Sequence, residues 1–167
     1  MKKAVWSGII AAVGVLTMST SVFAQANDSA NVTVAVNVNA RAKLTLGSAA
    51  ISFADADPDV TANLSSGAIS IDVKARTTAT GTVALTVQAS DDLKTAGGDA
   101  IAITGLTWTA SGTNFVAGTS NKTTAQSVGS WSGSGNRTGS HTYSLPNSWT
   151  YATGSYSATL TYTLVAP

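Results

Sequence analysis

Only 10% of the 167 residues are charged, against roughly a quarter in an ordinary globular domain, while 44% are hydrophobic. A net charge of +1 without any run of Lys and Arg omits the electrostatic footprint of a nucleic-acid binder, and the absence of Cys excludes disulfides and thiol chemistry. All acidic residues are Asp, so a strong helix former is missing, while Ser, Thr, Asn and Gly fill the non-apolar positions and favour short strands joined by turns.

The first residues read as an export signal. Lys2 and Lys3 form a positive start, residues 8–18 an apolar stretch, and Val22, Phe23 and Ala24 a cleavage site, so residues 1–24 are expected to be removed before Gln25. Ser19, Thr20 and Ser21 end the apolar run short of the ~18 residues a membrane span needs. Residues 31–46 then alternate strictly, with apolar side chains at every even position from Val32 to Leu46. At about 3.3 Å per residue this is roughly 50 Å of strand, too long for one ordinary strand. The chain must bend near residues 37–39, or its first half must project and pair elsewhere.

Shorter strands are predicted over residues 50–53, 69–75 and 82–88, the last two joined by 77–81 as a hairpin. Residues 91–99 form a loop, and 100–109 read as a strand pair or as one strand bulged at Gly105. From 112 to 140 the pattern fades into Gly, Ser and Thr, with apolar islands at 115–116 and 128–131. A short strand over 141–145 and a long final one over 155–166 complete the set. Seven or eight closely spaced strands without helices predict an all-β antiparallel sandwich in one domain.

Little in the chain supports catalysis. His141 is the one histidine, no nucleophile elbow lies near it, and a lone strand histidine is more often a surface or edge residue. Zinc lacks its usual ligand set. Asp55, Asp57 and Asp59 alternate as calcium-binding loops do, but an EF-hand beginning at Asp55 needs Gly and Glu where Val60 and Ser66 stand. An irregular calcium site there competes with a solvated loop turned by Pro58. Trp108 sits among apolar neighbours and is predicted to be core. Trp131 and Trp149, in Gly/Ser-rich or Pro-flanked segments, are candidate glycan contacts. No cofactor is called for.

Three stretches together resemble the major subunits of chaperone–usher fimbriae, in particular the cysteine-free colonisation-factor type: VTVAVNV (32–38), VALTVQASDDL (83–93) followed by IAITGLTW (101–108), and GSYSATLTYTL (154–164). The resemblance implies an immunoglobulin-like sandwich that lacks one strand, filled by the N-terminal extension of the next copy. On that reading residues 25–38 are the extension, with Val32, Val34, Val36 and Val38 as stiff β-branched knobs of a donor strand, and residues 39–167 are the sandwich. Residues 40–46 become its first strand, and Tyr156, Ala158, Leu160, Tyr162 and Leu164 flank the acceptor groove. A head-to-tail contact of this kind does not close and builds a filament. The implied partners are other copies of the chain, a periplasmic chaperone and an outer-membrane usher. The competing reading is a monomeric secreted adhesion or carbohydrate-binding module, with surface glycans as partners.

Overall fold

Side chains that alternate between apolar and polar bury one face of each strand, and that single constraint builds both layers of the structure. The computed structural model describes residues 28–167; the expected signal peptide at 1–24 lies outside the described residues. Ten strands follow in order: β1 (Arg41–Leu46), β2 (Asn63–Arg76), β3 (Thr82–Ala89), β4 (Leu93–Lys94), β5 (Ala100–Ile101), β6 (Thr107–Ser111), β7 (Gly118–Thr119), β8 (Gln126–Ser132), β9 (Gly135–Pro146) and β10 (Leu160–Val165). They form a five-stranded sheet ordered β1-β2-β9-β6-β7, a three-stranded sheet ordered β10-β3-β8 and a small β4-β5 pair. Every strand pairing is antiparallel. The protein is an all-β antiparallel sandwich, and no helix among the described residues is long and apolar enough to cross a membrane.

The core lies between the two larger sheets. Ile69, Ile71 and Val73 of β2 and Tyr143 and Leu145 of β9 line one side, and Val83, Leu85 and Val87 of β3 with Val128 and Trp131 of β8 line the other, all buried. The alternation changes parity once within β2, because a bulge between Ser65 and Ala68 inserts an extra residue against β9. Ser66 fills the gap: its Oγ accepts the Tyr143 backbone N–H at 2.9 Å, so no buried donor is stranded.

Four expectations about the elements need correction. Residues 69–75 and 82–88 are not a hairpin, since β2 pairs with β1 and β9 while β3 pairs with β10 and β8. Residues 77–81 instead carry the chain from one sheet to the other, and a period of two identifies the buried face without naming the sheet. Residues 50–53 form no strand, although Ile51 and Phe53 still pack against the core. The stretch 100–109 divides into β5 and β6 around one turn of 3-10 helix, Ile103–Gly105. The featureless region before residue 141 holds β7, β8 and the first half of β9. Gly139 shows why its pattern is hard to read: a Cβ there would lie 2.5 Å from both Phe115 Cδ2 and the Ser111 carbonyl oxygen. An inward position is thus taken by a glycine, so an aromatic ring can cover the strand.

Candidate functional site

Two end strands lie along one side of the sandwich. β10 ends its sheet and pairs only with β3, while β1 ends the other sheet and pairs only with β2. The two end strands lie next to each other. Along β10 and the residues before it, Tyr156, Ala158, Leu160, Tyr162 and Leu164 all face the core yet stay half-buried. Leu44 and Leu46 of β1 behave in the same way. Inward residues of β3, of β2 from Ile69 to Ala75 and of β9 from His141 to Leu145 are all below a tenth exposed.

The final strand is shorter than predicted, since β10 begins at Leu160. Tyr156 and Ala158 nevertheless continue its edge. Ser157 between them exchanges both backbone hydrogen bonds with Lys94, at 3.0 and 3.1 Å, and the Ser90 N–H donates to the Thr159 carbonyl at 2.8 Å. All five predicted edge residues therefore share one alternating row.

The chain divides between Val36 and Asn37. Residues 28–40 carry no regular secondary structure. Val32, Val34 and Val36 are 85%, 88% and 83% exposed, and Val38, already in the second unit, is 58% exposed. Four β-branched side chains with one spacing thus sit in water, where each forgoes roughly 1.5 kcal/mol or more of burial.

A buried polar cluster lies between β9 and β10 and has no counterpart in the sequence expectations. His141 is fully buried rather than at a surface or edge. Its ring lies 5.8 Å from that of Trp108 in a stacked arrangement. Its Nδ1 lies 3.0 Å from the Tyr162 hydroxyl, which in turn lies 2.6 Å from the Tyr143 hydroxyl. Nε2 has no partner among the described residues. Burial pushes the imidazole from its ordinary 6.5 down to about 4, and burial also raises both tyrosine hydroxyls. The cluster joins β9 to β10 across the two sheets. A readable sign was the spacing of His141 and Tyr143, which places both on one face of a strand.

The glycan and calcium candidates separate. Trp131 is corrected to a core residue, 6% exposed and packed against Phe115 at 6.3 Å, because the short apolar island around it is the inward face of β8. Trp149 is 69% exposed, and its indole N–H donates to Asp59 Oδ1 at 3.1 Å. Trp108 is buried, as its neighbours predicted. Asp55, Asp57 and Asp59 do not converge; among the described residues no three His, Cys, Asp or Glu side chains are placed to hold a metal ion. Asp57 instead turns its own loop: Oδ1 accepts the Asp59 N–H at 2.9 Å, and its carbonyl accepts from Val60 and Thr61.

Folding also makes a basic patch that the linear sequence conceals. The β1–β2 register sets Arg41 opposite Arg76 and Lys43 opposite Lys74. All four are exposed, and none joins a salt bridge among the described residues. No protein-family model matches the chain, and no curated protein matches it.

Proposed function

We propose that this chain is the structural subunit of an exported cell-surface filament, assembled when the N-terminal extension of one copy completes the sandwich of another. The observation that carries the reading is the half-buried row on β10, whose edge has no strand beside it. The strand order supports it further. We read the order β1-β2-β9-β6 within the larger sheet, facing β10-β3-β8, as immunoglobulin-like and without a strand after β10. Val32, Val34, Val36 and Val38 have the spacing and the exposure that such a missing strand requires. A periplasmic chaperone and an outer-membrane usher belong to this reading as the partners that would hold and pass on an unfinished subunit.

Deleting residues 25–37 tests it, since the shortened chain is expected to stay monomeric while the parent forms filaments visible by negative-stain microscopy. Pro167 lies beside Thr77, at the end of β10 where an antiparallel donor would begin, so a short flexible tether suffices to graft the segment after it. The grafted monomer is expected to melt higher by roughly 5 °C or more, each kcal/mol being worth about 3–5 °C at this size. Undiminished polymerisation after the deletion would sink the proposal. A stable monomer under all conditions, with Trp149 fluorescence quenched by a glycan, would replace it with the carbohydrate-binding reading.

A further inference from the structure

Charge is unequally shared between the two ends of β2. At the Arg76 end, Arg41 faces Arg76 and Lys43 faces Lys74. Like charges directly opposite in a ladder weaken it, so this arrangement costs stability and suits an anion from outside. At the Asn63 end, about 40 Å away at ~3.3 Å per residue, Asp55, Asp57 and Asp59 are exposed.

The acidic loop is held in place. The Asn147 side-chain amide donates to the carbonyls of Ala56 at 2.9 Å and Thr61 at 3.1 Å, and the Asn147 backbone N–H donates to Ala62 at 2.9 Å. These bonds staple it to the segment carrying Trp149, whose indole is fixed by Asp59. Val60, 82% exposed, adds an apolar contact. A fixed, exposed tryptophan among polar groups has the make-up of an interface anchor. The opposite end offers a matching feature: a depression of about 360 Å³ lined by residues 38–40, 76–78 and Pro167. It has room for an indole, and the Arg76 guanidinium on its wall can lie over one.

We infer that the acidic Trp149 end of one copy docks against the basic Arg41–Arg76 end of the next. The inference rests on the donor-strand reading and adds a second contact to it. Every pairing in the sandwich is antiparallel, and a donor that follows this rule runs along β10 from the Pro167 end to the Tyr156 end. The body of the donating copy, which begins again at Arg41, then emerges beside Trp149 and the acidic loop of the acceptor. Opposite charges meet at the place where the chain crosses.

Charge reversal on each end separates this contact from the donor strand. Light scattering of the purified chain follows assembly. Asp55→Lys with Asp59→Lys, and separately Arg41→Asp with Arg76→Asp, are each expected to slow it about tenfold or more, the scale of electrostatic steering. Circular dichroism should show both folded. An equal mixture of the two is expected to recover most of the rate, because each reversed end then meets its complement. Trp149→Ala is the uncharged control and should slow assembly without lowering the melting temperature. Unchanged rates in both charge variants, or a mixture no faster than either alone, overturns the end-to-end contact and leaves the filament reading intact. Equal assembly of the parent and the 25–37 deletion overturns the filament reading itself. If Arg41→Asp with Arg76→Asp abolishes retention on a sulfated polysaccharide while assembly is unaffected, the basic end belongs to an acidic polymer and the inference falls.

Discussion

His141 couples the core to pH with a sign that can be worked out. The folded chain holds the imidazole near 4 while the unfolded chain titrates near 6.5, so between these values the unfolded state binds more protons. Stability is full above about 6.5 and falls as the pH drops toward 4, by at most about 3 kcal/mol at 1.36 kcal/mol per unit. The Lys94 ammonium holds the Asp91 carboxyl at about 2, and its contribution is lost only as pH falls from 3.8 toward 2. The two windows do not overlap. Urea melts at pH 7 and pH 4.5 should therefore differ in the parent but scarcely in His141→Phe, which keeps a ring between Trp108 and Phe115 and cannot titrate. An equal pH dependence in the variant would contradict the assignment. The burial of His141 was not legible in the sequence, because its partner Tyr162 belongs to the opposite sheet and a distant segment. A lone histidine carries no mark of what faces it.

At the scale of the element, legibility follows side-chain alternation. Residues 69–75, 82–88 and 160–165 alternate cleanly, and each lies in a strand with the predicted face turned to the core, buried in the first two and half-buried in the third. Residues 135–140 read Gly-Asn-Arg-Thr-Gly-Ser, with small or polar side chains on both faces, and there a long strand went unseen because its backbone pairing with β2 does the work. Ile51 and Phe53 pack against the core without belonging to a strand, so apolar spacing there marked inward side chains but not the backbone that carries them. The valines of the extension offer a test at this scale. Val34→Thr and Val36→Thr keep β-branching and replace one methyl group with a hydroxyl on side chains exposed in the single chain. The melting temperature should move by less than about 2 °C, in keeping with surface substitutions. Assembly should fall about tenfold or more, as two good core contacts at ~1 kcal/mol each are lost. Equal losses in both measurements would mean that the valines serve their own chain.

For the molecule as a whole, the proposed donor strand would tie stability to association. A subunit whose core is finished by another copy gains stability in proportion to how much partner is bound, so its melting temperature should climb with protein concentration. That of the 25–37 deletion should not. A concentration-independent transition in both would show a self-sufficient domain. The low charge that set this chain apart from ordinary domains has a structural counterpart here, since β10 presents no charged side chain along its edge. Ordinary soluble sheets guard such edges with Lys or Pro.

The order of pairing sets when this chain can fold. β10 closes onto β3, with Leu160 opposite Ala89, and β9 onto β2, with Pro146 opposite Asn63. Both central strands thus take partners from far along the chain, and neither sheet can be completed from β1, β2 and β3 alone. Such long-range closure is slow, in the range of milliseconds to seconds for β-sandwiches. Until both closures form, the apolar rows of β2 and β3 lack their cover, so the refolding chain is open to aggregation for that time.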